Sequence, residues 1–287
     1  MARHIAIVTD STASLPAGLV DAAGIVVVPL DVIVDGVPHR EGMDISPRQI
    51  VEALRSGASV RTAQPGPESF ARAYARVAAR GAREIVSVHL SAELSGTVSS
   101  AELAAQTAGV PVHVVDSRTV GMALGLAVLA AARAAGEEQG TVADGAAVAL
   151  AAERRAATTT VRFAVDTLEH LRAGGRLGAF AATLGSVLGL RPVLAIRDGR
   201  LDVVEKVRTS ARARDRVVEL ALADIARRDR FELAVHHLGD PELAERVAEH
   251  LRASCGRGLQ GVHIAEISAV VGAHVGPGLL AVVVADA

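Results

Sequence analysis

The sequence predicts an α/β protein in two parts. The first is an N-terminal parallel-sheet α/β domain over residues 1–158, the second a C-terminal α+β domain over 159–287. Three observations carry this. Short Val- and Ile-rich runs alternate with helical patterns through the first half, which argues for parallel strands joined by helical crossovers. The second half groups its strands around a hairpin signal, Asp198-Gly199, with helices beside them. The length, 287 residues, suits one large or two ordinary domains with a substantial core.

Taken in order, "HIAIVTD" reads as a strand, followed by a helix that starts at Pro16. "DVIVDGVPHR" alternates around Asp35-Gly36 and reads as a hairpin. "SPRQIVEALRSG" carries Ser46 as N-cap, Pro47 at the first helical position and Gly57 as stop. "GPESFARAYARVAARG" is a helix and "REIVSVHL" a buried strand. A helix begins near Ser95, "VPVHVVD" is a strand, and two Ala-rich helices close the first half. The boundary falls near Thr158 to Thr160. Beyond it come the strand "VRFAVDT", the short helix "LEHLRAGG" and the strand pair "RPVLAIRDGRLDVVEKVR". The helix "ARARDRVVELALADIARR", the strand "RFELAVHHL" and a helix opened by Asp240-Pro241 follow. "GVHIAEIS" and "GLLAVVVADA" are the last two strands.

Composition narrows the function. Half the residues are apolar but only 2% aromatic, so Ala, Val, Leu and Ile build the core. A net charge of -2 speaks against nucleic acid, which favours a basic face. One cysteine, Cys255, permits no internal disulfide and fits a reducing compartment. Asp10 interrupts the first apolar run, so the start shows no signal-peptide core. "VGMALGLAVLAAARAA" meets Arg133 after 13 residues from Val120, too few to span a bilayer, and reads as a buried helix. The expectation is a soluble, cytoplasmic protein with no integral membrane segment. Lys206 is the one lysine beside 29 arginines. A lysine kept where arginine is the habit is either needed as lysine or a surface accident.

Phosphate-loop, dinucleotide-fingerprint, nucleophile-elbow and metal-ligand patterns are all absent, so no catalytic, metal or cofactor residue is assigned. Polar segments at element ends remain. "TDST", Thr9 to Thr12, closes the first strand, where open α/β sheets bind ligands; it also reads as a turn and cap. "TAQPG", Thr62 to Gly66, is a loop stiffened by Pro65 that aims Thr62 at a site or only opens a helix. In "LSGT", Leu94 to Thr97, Ser95 reads as N-cap, and the amides of Gly96 and Thr97 point out of the helix start. A carboxylate or phosphate fits there, and so does ordinary capping. "LRAGGRLG" places Arg176 behind a Gly-Gly helix stop. "GAHVGPG" sets His274 in a glycine-rich loop. "LDVVEKVR" puts Lys206 and Arg208 on one strand face, for an anionic partner or for solvent.

In this order, and over nearly the whole chain, these segments resemble the DegV family of bacterial lipid-binding proteins. The set "TDST", "TAQPG", "LSAELSGT", "VVDSR", "LEHLRAGGRLG", "EKVR" and "GAHVGPG" is specific where each piece alone is weak. Ala63 and Gly66 depart from the pattern, which has hydroxyl residues there. The resemblance implies a long-chain fatty acid such as palmitate in a tunnel between the domains, its carboxyl group on Thr62 and Ser95. Gly96, Thr97 and His274 are implied nearby. It also implies a separate fatty-acid kinase as partner, with Arg176, Lys206 and Arg208 near the head group or the docking face. The competing reading is an enzyme acting on an acyl or phosphorylated small molecule, with Ser95 as nucleophile and His274 as acid/base. That reading needs a base within reach of Ser95.

Overall fold

The computed structural model describes residues 4–136, 144–177 and 190–287. Its first sheet has four parallel strands in the order β2-β1-β6-β7: β1 Ile5–Asp10, β2 Val26–Val28, β6 Glu84–His89 and β7 Val112–Asp116. Helices α1 Ala17–Ala23, α3 Pro67–Ala79 and α4 Thr97–Ala105 form its crossovers. A small antiparallel sheet, β4-β3-β5, comprises β3 Asp31–Val34, β4 Val37–Arg40 and β5 Val60–Ala63, with α2 Pro47–Arg55 between β4 and β5. Asp35 and Gly36 both have positive φ, 48° and 85°, as the predicted tight hairpin requires. Ser46 and Gln49 close a capping box on α2.

The third sheet holds six strands in the order β10-β9-β8-β13-β11-β12, all from Thr160 onward. They are β8 Thr160–Ala164, β9 Arg191–Arg197, β10 Arg200–Val207, β11 Phe231–His237, β12 Leu259–Glu266 and β13 Leu280–Asp286. Only the β11–β12 pair is parallel, crossed over by a helix. Period-2 alternation sorts the faces. Leu280, Val282 and Val284 of β13 pack under α8 Ser210–Ile225 and α9 Pro241–Ser254. Ala281, Val283 and Ala285 face the other way, into the core shared with the first sheet.

Helix α5, Met122–Ala134, packs against β1, β6, β11 and β13, and so lies between the two large sheets. Nearly all of it is buried, which is why its sequence is apolar all round rather than striped. No helix of the described residues is long and apolar enough to cross a membrane. Helix α6, Gly145–Thr158, lies on α5. Two short helices complete the frame, α7 Glu169–Ala173 and α10 Ala269–Val275.

Three expectations need correction. Thr62 and Ala63 are not loop: Thr62 pairs with Val32 across β3–β5, and the loop begins at Gln64. His274 is not in a glycine loop but in the last turn of α10, which ends at Gly276 with φ 72°. Ser95 does not cap α4. Gly96 takes the N-cap position, because Ser95 belongs to a turn in which its amide donates to the Ser91 carbonyl.

Candidate functional site

In the first sheet the strand order reverses between β1 and β6, so their carboxyl ends open a crevice there. The third sheet, α10 and β5 close over it and leave a cavity of about 400 Å³. That lies within the usual range for small-molecule sites. Its wall is mostly apolar. Val161 and Phe163 come from β8, Ile196 from β9, Leu201 from β10, Ala281 from β13, and Val270, Val271 and Val275 from α10. Leu30, Leu90, Leu94 and Leu279 come from the connections.

Thr62, Gln64, Ser95, Arg176 and His274 contribute polar side chains to the lining. Thr62 Oγ1 and His274 Nε2 are 2.8 Å apart, joining β5 to α10. Arg176 donates from Nε to the Leu94 carbonyl at 3.2 Å and from its terminal nitrogen to the Gly174 carbonyl at 2.6 Å, which holds the guanidinium beside Ser95. No carboxylate of the described residues pairs with Arg176. Gly174 matters sterically, since a Cβ there would collide with the His274 ring. Burial, then the nearby Arg176 charge, pushes His274 down to about 4, so its imidazole is neutral at pH 7.

The two serines of "LSAELSGT" divide the work. Ser91 is buried and donates to the Gly199 carbonyl at 2.7 Å, tying the β9–β10 turn to the end of β6. Gly199, at φ 81°, has no room for a side chain there. Ser95 lines the cavity and bonds Thr97 Oγ1 at 2.9 Å. Gly96 and Thr97 stand behind it and are not in the lining. Lys206 and Arg208 are exposed toward the far end of β10 and past it, also outside the lining, whereas Leu201 of the same strand faces the cavity. Gly178 of the "LRAGGRLG" segment lies outside the described residues.

Sequence reasoning passed over Gln64. Its amide occupies the space above Gly96, where a Cβ would collide with it, so the glycine makes room for Gln64 first of all. It also passed over His236, which lines the cavity wall. His236 accepts from the Met122 amide at 2.8 Å and donates to the Ala265 carbonyl at 2.9 Å. Burial pushes it to about 4.

These two histidines predict a pH dependence. Their folded values lie below the ordinary 6.5, so the unfolded chain binds more protons between about pH 4 and 6.5. Stability should therefore fall as pH drops through that window, by up to roughly 3 kcal/mol per histidine. Burial raises Glu41, whose contribution has the opposite slope. Urea unfolding at pH 7 and pH 4.5 checks this: His274→Gln should flatten the slope, and an unchanged slope refutes the assignment.

The comparisons agree with this architecture. A family model described as "Uncharacterised protein, DegV family" matches residues 4–287. A DegV domain-containing protein of Streptomyces coelicolor is 49% identical over 286 residues, covering 100% of both chains. The solved structure of a DegV family protein from Thermus thermophilus, described by its fatty acid binding, has a TM-score of 0.90 at 36% identity. It covers 99% of this chain and 100% of that one. DegV of Bacillus subtilis, described as a fatty acid binding protein, gives 0.91 at 28% identity, with the same coverage.

Proposed function

Because the chain belongs to the DegV family, we propose that it binds one long-chain fatty acid in the 400 Å³ cavity, with the carboxyl group at the Thr62–Ser95–Arg176–His274 end. The observation that carries this is the division of the lining: a largely apolar wall, and at one end the bonded Thr62–His274 pair with Arg176 anchored on the Leu94 carbonyl next to Ser95. Burying about 14 methylenes is worth roughly 11 kcal/mol at ~0.8 each. Lost freedom on association takes back much of it. The tail thus supplies most of the affinity, and the head fixes direction.

A carboxylate only accepts hydrogen bonds. With the His274 proton on Nε2, the imidazole donates to Thr62 and frees the threonine hydroxyl to donate to the ligand. Arg176, without an acidic partner among the described residues, supplies the balancing charge. Ser95 adds a second hydroxyl. The protein then acts as a carrier that presents the acid to a separate kinase, with Lys206 near the end of β10 and Arg208 just past it on the docking side. The enzyme reading gains no support, since Ser95 bonds Thr97 and His274 bonds Thr62.

Ser95→Ala should weaken fatty-acid binding by ~1–3 kcal/mol, because one hydroxyl is lost while the tail stays buried. The Thr62→Ala, Ser95→Ala pair should lose more. Titration with a long-chain fatty acid reads both. Equal affinity in both variants and the parent would place the head group elsewhere.

A further inference from the structure

Behind the Thr62–His274 pair lies a second chamber, of about 690 Å³. It shares three lining residues with the fatty-acid cavity, Thr62, Arg176 and His274, so these form the partition between the two. Its own wall adds Arg61 from β5 and His170 from α7, together with small residues such as Gly57, Ser59 and Gly174. No carboxylate of the described residues lines it. Arg61, like Arg176, makes no ion pair among the described residues, whereas Arg48, Arg155, Arg214 and Arg216 all do. Two glycines keep the imidazoles in place. A side chain at Gly174 would strike His274, and one at Gly276 would strike His170. His274 Nδ1, on the Gly174 side, is buried and without a hydrogen-bond partner among the described residues.

We propose that this outer chamber is a second, anion-selective site that takes a phosphate or phosphoryl group, set across the Thr62–Arg176–His274 partition from the ligand's carboxyl end. The proposal rests on the carboxyl placement given above for its second half only. Two guanidinium groups with no acidic neighbour match phosphate, which arginine binds through paired, charge-assisted hydrogen bonds. His170 adds a ring donor, the bare His274 Nδ1 can accept from a protonated phosphate oxygen, and the lack of lining carboxylates among the described residues leaves the local field positive. Such a chamber admits phosphate to the head group without crossing the apolar tunnel.

The test uses the full chain, lipid-free and loaded with fatty acid, titrated calorimetrically with inorganic phosphate and, in a separate arm, with a nucleoside triphosphate. Arg61 and His170 belong to the outer chamber alone. Arg61→Glu is expected to weaken phosphate binding by about tenfold or more. His170→Leu is expected to weaken it less, and both should leave fatty-acid affinity within about twofold. Binding of phosphate but not the triphosphate assigns the site to the free anion or to a phosphorylated head group. Binding of both, with the same Arg61 dependence, assigns it to the phosphoryl group of a donor as well. Lipid uptake in the same samples separates the two readings. If lipid binds and phosphate does not, or binds Arg61→Glu as tightly as the parent, the outer site is refuted. If phosphate binds as expected and lipid does not, the inner-cavity reading fails and the anion site stands.

Discussion

Ala281→Phe is expected to give a folded protein that takes up almost no long-chain fatty acid. Ala281 lies on β13 between Phe163 of β8 and His236 of β11, on the face turned toward the cavity. Its neighbours Leu280 and Val282 point away, under α8 and α9. A phenyl ring there extends into empty space rather than into packed atoms, so the overpacking penalty of a filled core is avoided. The ring and the alkyl tail then compete for one volume. Excluding about five methylenes at ~0.8 kcal/mol each removes ~4 kcal/mol, close to a thousandfold in affinity. Ala281→Val should fall between. Lipid titration beside thermal unfolding reads the result. Undiminished binding in a folded Ala281→Phe protein would mean that the tail does not run past β13.

This test depends on faces, which strand geometry sets but the sequence of β13 does not display, since it is buried on both sides and apolar throughout. The all-round apolarity of α5 was legible, because burial on every side is written in a run of consecutive residues. Both Asp-Gly turns were equally plain, because a tight hairpin demands positive φ at two successive positions. What was hidden needed a partner from far along the chain. Thr62 looked like loop because β5 is four residues long, and it is a strand by pairing with β3. His274 looked like loop because three glycines surround it. Gly272 is helical, packed close to Leu238, and Gly276 lies beside the His170 ring. Gln64 gave no signal, since its effect is to fill the space above a glycine 32 positions later. Propensity reads the local chain, whereas these contacts are set by tertiary packing.

The same limit hid the most consequential polar group in the fold, and replacing it should have the largest effect on stability. Asp10, fully buried at the end of β1, accepts four hydrogen bonds. Thr12 donates its amide at 3.0 Å and its hydroxyl at 2.5 Å to one carboxylate oxygen. The Leu90 amide at 3.1 Å and His89 Nδ1 at 3.0 Å share the other. An ionised carboxylate is acceptor-only, so the His89 proton sits on Nδ1, and Nε2 accepts from the Ser87 hydroxyl at 2.7 Å. Ser87 accepts in turn from Tyr74 at 2.9 Å. Every hydroxyl direction is thereby fixed, from α3 through β6 to the turn after β1. The arrangement has the residue types of a nucleophilic triad, but Ser87 and His89 are wholly buried, so it serves structure. Asp10→Asn keeps the shape while turning an amide NH₂ toward donors, and Asp10→Ala leaves all four unsatisfied. Each is expected to cost ~3–5 kcal/mol. Thr12→Val, which removes one of the four donors to Asp10 and leaves the other three in place, should cost only about 1 kcal/mol. Because Thr12 and Leu90 both line the cavity, surviving Asp10 variants should also bind fatty acid more weakly. Urea unfolding of the three variants is the measurement. An Asp10→Asn protein within about 1 kcal/mol of the parent would show that the carboxylate is not what holds β1, β6 and α3 in register.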